Sequence, residues 1–173
     1  MRKRPLTVAA LAVLVLSGGL VACDEPRVHA LRASCTTADL KWKVTVLKKK
    51  PRSTHREGRL SAVNTGASEC VFRGFPALLV HVGKGPEAGG VGHGRARAVS
   101  LPSGKGVVVD LRYRGAPRER PSQDDCLVSD GAAEVAAPRD TKGTRVQVWD
   151  ERGERARLDV CGDVIRMGPP RRA

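Results

Sequence analysis

The stretch GVVVDLRYR, Gly106 to Arg114, carries the clearest structural signal in the chain. Val107, Val109, Leu111 and Tyr113 fall on one face of an extended segment while Val108, Asp110 and Arg112 fall on the other, the period of two of a half-buried strand. The same alternation appears upstream, where Leu40, Trp42, Val44 and Val46 interleave with Lys41, Lys43 and Thr45. Arg59 to Asn64 reads as a second strand that ends in the turn Asn64-Thr65-Gly66. Cys70 to Phe72 and Ala77 to Val82 flank Gly74 and Pro76 and read as one strand interrupted by a bulge or kink. Ala96 to Leu101, Cys126 to Ser129 and Glu134 to Ala137 are short strands. Thr144 to Trp149 and Glu154 to Cys161 predict a hairpin over Asp150 to Gly153.

Between these segments lie Lys48 to Gly58 (KKKPRSTHREG), which Pro51 and Gly58 are expected to keep out of regular structure, the glycine-dense Gly83 to Gly94, and the polar Gly115 to Asp125. No segment patterns as an amphipathic helix longer than two turns. Seven to nine short strands separated by Gly and Pro turns predict an all-β fold, an antiparallel immunoglobulin-like β-sandwich with two disulfides; a barrel is the second architecture. The Cys, Trp and Cys spacing of immunoglobulin domains is absent, so the expectation concerns architecture and not that family.

The N-terminus has a different character. Arg2, Lys3 and Arg4 precede an apolar run from Leu6 to Leu16, which Ser17, Gly18 and Gly19 interrupt. This is the tripartite pattern of an export signal, and the run is shorter than the roughly 20 apolar residues a membrane-spanning helix needs. Leu20, Val21, Ala22 and Cys23 then resemble a bacterial lipobox, in which a peptidase cuts ahead of a lipid-modified thiol. The expected organisation is a lipoprotein signal peptide over 1–22, an acylated Cys23 with a tether over 23–34, a sandwich domain over 35–169 and a tail over 170–173. The tether Asp24 to Ser34 reaches at most about 40 Å when extended and about 20 Å as a coil.

Five cysteines divide as one plus four: Cys23 for the lipid, and Cys35, Cys70, Cys126 and Cys161 for disulfides, as an exported chain favours. Four cysteines allow three connectivities. The equal spacing of Cys35 to Cys70 and of Cys126 to Cys161 favours those pairs. A zinc site is the rival, but the four stand singly and no CxxC occurs.

The formal net charge is +13, and the first 22 residues hold three of the 31 basic residues and none of the 18 acidic ones, which leaves +10 for the remainder. Such a charge favours anionic neighbours. Nucleic acid is a poor candidate for an exported chain whose only aromatics are Trp42, Phe72, Phe75, Tyr113 and Trp149, at least three of them on apolar strand faces. Phospholipid head groups and envelope polyanions remain. Lys48, Lys49, Lys50, Arg52, Arg56 and Arg59 form the one cluster with a physical use, since each basic residue facing an anionic leaflet adds about 1 kcal/mol of attraction. The alternative is a solvated loop whose charge only aids solubility. Arg outnumbers Lys 22 to 9, as a GC-rich genome gives without selection for binding.

Catalytic patterns are missing. His29, His55, His81 and His93 are scattered and form no HExxH or related metal motif. Ser103 stands in a Pro-Ser-Gly turn and not in a nucleophile elbow. Gly89, Gly90, Gly92 and Gly94 lack the helix and GK[ST] that complete a phosphate cradle. Asp124 and Asp125 have no neighbour to separate their pKa values. The chain is expected to be non-enzymatic and without cofactor or metal, its protein partner unspecified.

Asn64-Thr65-Gly66, Cys70-Val71-Phe72-Arg73-Gly74-Phe75-Pro76, Leu101-Pro102-Ser103-Gly104 and the late Cys126 and Cys161, in that order behind a lipobox, resemble the actinobacterial lipoprotein domain known as domain of unknown function 4232. The likeness spans about Cys35 to Pro169, and Ser103 departs from it by lengthening the usual Pro-Gly turn. The resemblance implies an exported β-sandwich with no established activity. It transfers no catalytic residue.

Overall fold

The computed structural model describes residues 32–51, 53–81, 85–115 and 128–173, and among these there is no helix. The strands are β1 (Leu40–Val46), β2 (His55–Asn64), β3 (Cys70–Phe72), β4 (Ala77–His81), β5 (Glu87–Gly92), β6 (Val99–Leu101) and β7 (Gly106–Arg114) in the first part. After the segment 116–127, outside the described residues, come β8 (Val128–Asp130), β9 (Ala132–Ala136), β10 (Thr144–Asp150), β11 (Leu158–Val160), β12 (Val164–Met167) and β13 (Arg171–Arg172).

The all-β expectation holds, and the arrangement differs from a sandwich. The main sheet runs β12-β5-β4-β9-β10-β1-β2-β7, and β12 also pairs with β7, so the ladder closes into an eight-strand barrel. Two pairings, β1 with β10 and β5 with β12, are parallel, so the sheet is mixed where antiparallel order was expected. Parallel neighbours need long crossovers, and no local pattern in either strand announces them. Closure removes the edges that an open sheet exposes. β13 pairs beside β7, so the C-terminal residues add to the sheet. β3 with β6 and β8 with β11 form two small sheets of their own.

Alternation decides what fills the barrel. Val44, Val46, Leu60, Val80, Val109, Leu111, Val135, Val148, Ile165 and Met167 are among the buried residues of one apolar cluster, and an eight-strand barrel is just wide enough for side chains to fill it. A second cluster, with Leu40, Ala62, Phe72, Leu101 and Val107, surrounds the disulfide Cys35–Cys70 at one end. Trp42 packs against both clusters; its ring lies 6.2 Å from that of Phe72 and its Nε1–H donates to the Thr37 carbonyl at 3.2 Å.

Four local expectations change. Cys70–Phe72 and Ala77–His81 are not one kinked strand but two strands in different sheets, with Gly74 at φ 108° making the break. His55–Gly58, expected as connection, is the start of β2, with Gly58 facing Val46 and Leu111 across its two neighbours. Gly89, Gly90 and Gly92, expected as loop, belong to β5, where a close approach demands glycine: a Cβ at Gly90 would stand 2.9 Å from Leu78 Cβ, and one at Gly92 would enter the Phe75 ring. The hairpin at Asp150 begins as expected, with Ala156 N–H donating to the Val148 carbonyl at 3.0 Å. Leu158–Val160 then leaves it to pair with β8.

Candidate functional site

Part of the basic cluster predicted from sequence is committed to internal contacts. Lys50 Nζ donates to Glu57 Oε1 at 2.7 Å, and Arg59 pairs with Asp110 at 3.7 Å. The Lys48 backbone N–H donates to Glu151 Oε2 at 2.8 Å, tying the loop to the β10 turn. Arg56 lies half-buried opposite Tyr113 across the β2–β7 ladder, its charge acting on the Tyr113 hydroxyl, while its Nε is enclosed without a hydrogen-bond partner. Burial, only partly offset by Arg56, pushes the Tyr113 hydroxyl up to about 12. Lys49 is half-buried, and Arg52 lies outside the described residues.

The loop also sits far from where the N-terminal segment joins the domain. Cys35 belongs to the cluster around Leu40, at the start of β1, and Lys48 follows Val46 at its other end. Six residue steps of about 3.3 Å place the two ends about 20 Å apart along the wall.

Next to this loop, strands distant in sequence assemble a groove of about 560 Å³ on the outer wall, lined among others by Arg59, Arg112, Arg166 and Arg171 with Glu57 and Asp110. Arg59 and Glu57 come from β2, Asp110 and Arg112 from β7, Arg166 from β12 and Arg171 from β13. Asp110 is shared: Arg171 Nη2 bonds it at 3.0 Å and Arg59 at 3.7 Å. Arg112 and Arg166 stand directly opposite each other across the β7–β12 ladder that closes the barrel. Glu57 is Arg112's neighbour on the other side, but its carboxylate is held by Lys50. Neither the Arg112 nor the Arg166 side chain has a hydrogen bond or ion pair among the described residues. Arg112 is legible in the sequence as an outward residue of its strand. Its opposition to Arg166 depends on a pairing between strands far apart in the chain, for which the sequence carries no signal.

A larger hollow of about 900 Å³ lies by Cys35, lined by Thr37, Arg139, Asp140 and Lys142 among others. Two of its polar side chains, Thr37 and Asp140, are taken up by contacts within the wall. Asp140 accepts the Thr37 N–H at 2.7 Å and the Lys142 N–H at 3.0 Å, and these bonds, the Thr37 one foremost, lower its carboxyl to about 2. Thr37 Oγ1 in turn accepts the Ala137 N–H at 2.9 Å. This is a clasp between two chain segments.

His55, His81 and His93 are dispersed over β2, the end of β4 and the segment after β5; His29, Asp124 and Asp125 lie outside the described residues. Among the described residues no group of three or more His, Cys, Asp or Glu side chains could hold a metal ion. The Cys35–Cys70 bond is present, one of the two favoured pairs, and it excludes a Cys35 to Cys161 link. Cys161 is also disulfide-bonded; Cys23 and Cys126 lie outside the described residues.

Fold and surface together define an all-β barrel with a basic outer wall. Domain of unknown function (DUF4232) matches residues 35–170, most of the chain, and the protein belongs to that family. No curated protein is similar enough to match it.

Proposed function

We propose that the protein is a lipoprotein of the actinobacterial cell envelope, acylated at Cys23 and held outside the cytoplasm at the membrane, where its barrel acts as a non-enzymatic module that binds anionic partners. The observation that carries this reading is the imbalance of the outer wall, where Arg112 and Arg166 face each other without an ion pair: Glu57, opposite Arg112 on its other side, is taken by Lys50, and Asp163, which lines the adjoining hollow with both arginines, bonds neither. A folded domain gains nothing in stability from like charges placed directly opposite, so an external anion is their natural counterpart. The lipobox at Leu20 to Cys23 supports the location. The bonded state of Cys161 supports the pairing Cys126–Cys161 and leaves Cys23 as the odd thiol, available for the lipid.

A passive envelope protein is the second reading. The contacts of Lys50 with Glu57 and of Lys48 with Glu151 favour it for the basic loop, which they hold in place against the barrel.

Two experiments test the proposal. Mass spectrometry of the full chain expressed in an actinobacterial host is expected to find a diacylated Cys23 at the N-terminus, and Cys23→Ser is expected to move the protein from the membrane to the medium. A wild-type protein recovered with residues 1–22 still attached, or without lipid, refutes the anchoring. Failure of the wild type to bind any anionic probe at about 50 mM salt, where surface electrostatics are weakly screened, refutes the binding role.

A further inference from the structure

We infer that the groove on the wall formed by β2, β7, β12 and β13 is the binding site of a soluble, phosphate-bearing polyanion, an inference that rests on the anion-binding reading above and locates its site away from the lysine loop. The two carboxylates of the groove are already engaged: Glu57 by Lys50 at 2.7 Å, and Asp110 by Arg171 at 3.0 Å and Arg59 at 3.7 Å. Arg112 and Arg166 are left over, exposed and directly opposed. Both belong to neighbouring strands about 4.8 Å apart, so their guanidinium forks can close on one phosphate or on successive phosphates of a chain. Guanidinium suits such oxyanions because its donors match them in bidentate geometry.

Three features narrow the ligand. Arg59 and Arg171 extend the positive wall along β2 and β13, and His93 lines the same groove, so the site fits a chain of charges better than a single ion. Among the described residues no Phe, Tyr or Trp lines it, which removes the stacking platform a single-stranded nucleic acid uses. The site is also a hollow between strands and not a flat face, so it admits a flexible soluble chain, whereas a flat leaflet would meet only its rim.

The test uses the full chain carrying Cys23→Ser, which takes no lipid, titrated with linear inorganic polyphosphate and, separately, with vesicles of phosphatidylglycerol in phosphatidylcholine, read against vesicles of phosphatidylcholine alone. The double variant Arg112→Gln/Arg166→Gln is expected to bind polyphosphate about tenfold or more weakly and to flatten the dependence of log K on log salt by about 1 to 2. Lys48→Gln/Lys49→Gln is expected to lose less than about threefold, since peripheral charges contribute little. Removing the opposed arginines is also expected to raise Tm by about 1 to 3 °C, a gain that a structural role for them would reverse. Equal losses from the loop and wall variants, or a lower Tm in the wall variant, overturn the assignment of the site. Binding to vesicles without binding to polyphosphate overturns the soluble ligand while leaving the anion-binding reading intact. Binding to neither probe overturns that reading itself.

Discussion

Asn64→Ala is expected to destabilise the barrel by about 3 to 4 kcal/mol. The side chain is 1 % exposed and its hydrogen bonds all go to backbone. Its Nδ2 donates to the carbonyls of Ser68 and Leu101, each at 2.8 Å, and its Oδ1 accepts the Gly66 N–H at 2.9 Å. These bonds join the end of β2 to the following turn and to β6. Each is worth about 1 kcal/mol net, and the packing lost with the buried side chain adds up to about 1 kcal/mol. For a domain of this size about 3 °C of Tm goes with each kcal/mol, so the variant should melt about 10 °C lower. Urea denaturation of the same protein, read by tryptophan fluorescence from Trp42 and Trp149, gives the free energy. Asn64→Asp sharpens the test: it keeps an oxygen for Gly66 but turns another toward two carbonyl oxygens, so near neutral pH it should cost at least as much as alanine. An aspartate variant within about 1 kcal/mol of wild type would refute the assignment of these bonds as the source of the stability.

Replacing Cys35 and Cys70 together by serine opens a loop of 35 residues and is expected to cost about 4 kcal/mol on the chain-entropy estimate; unchanged denaturation under reducing conditions would contradict it. Gly90→Val should destabilise by about 2 kcal/mol or more, since its Cβ would stand 2.9 Å from both Leu78 Cβ and Met167 Cε in a packed interior, and a melt equal to wild type would show that β5 has room to shift. Tyr113 is the only tyrosine, so ultraviolet titration reads it alone: burial raises its folded pKa to about 12 against about 10 unfolded. The unfolded chain therefore ionises first, so this contribution to stability is intact below about pH 10 and falls by about 2 to 3 kcal/mol by pH 12. A native midpoint near 10 would show the hydroxyl to be open to water. Asp140 works in the opposite sense: with its carboxyl lowered to about 2 by the Thr37 and Lys142 amides, its stabilisation is present above about pH 4 and is lost as pH falls toward 2. Asp140→Asn should flatten that acid limb in a pH series of melts.

The strands legible in the sequence were those with strict alternation. β1 and β7 match their expected spans because burial on one face alone shapes their composition. β5 and the start of β2 were hidden by glycine, which marks loops by default but in β5 marks places where Leu78, Met167 and Phe75 press against the backbone. β12, only four residues long, carries too short a pattern to stand out. For the candidate site the loss was greater. A run of lysines in one loop is visible as a cluster in sequence; Glu57 stands in the same stretch, seven residues beyond Lys50, but meets it only because β2 begins at His55, and Glu151 arrives from the distant turn after β10.

By itself the sequence determined the all-β class, the core-facing side of β1 and β7 and the excess of positive charge, and its equal cysteine spacing favoured the Cys35–Cys70 bond that the structure contains. These follow from composition, spacing and a period of two, all read along the chain. Only the tertiary structure decided that the sheet closes into a barrel, and with it that Arg112 meets Arg166 while Lys50 is matched by Glu57. Alternation says which face of a strand is buried but not which strand lies beside it, and it is that neighbour that determines whether a charge is matched or left for a ligand.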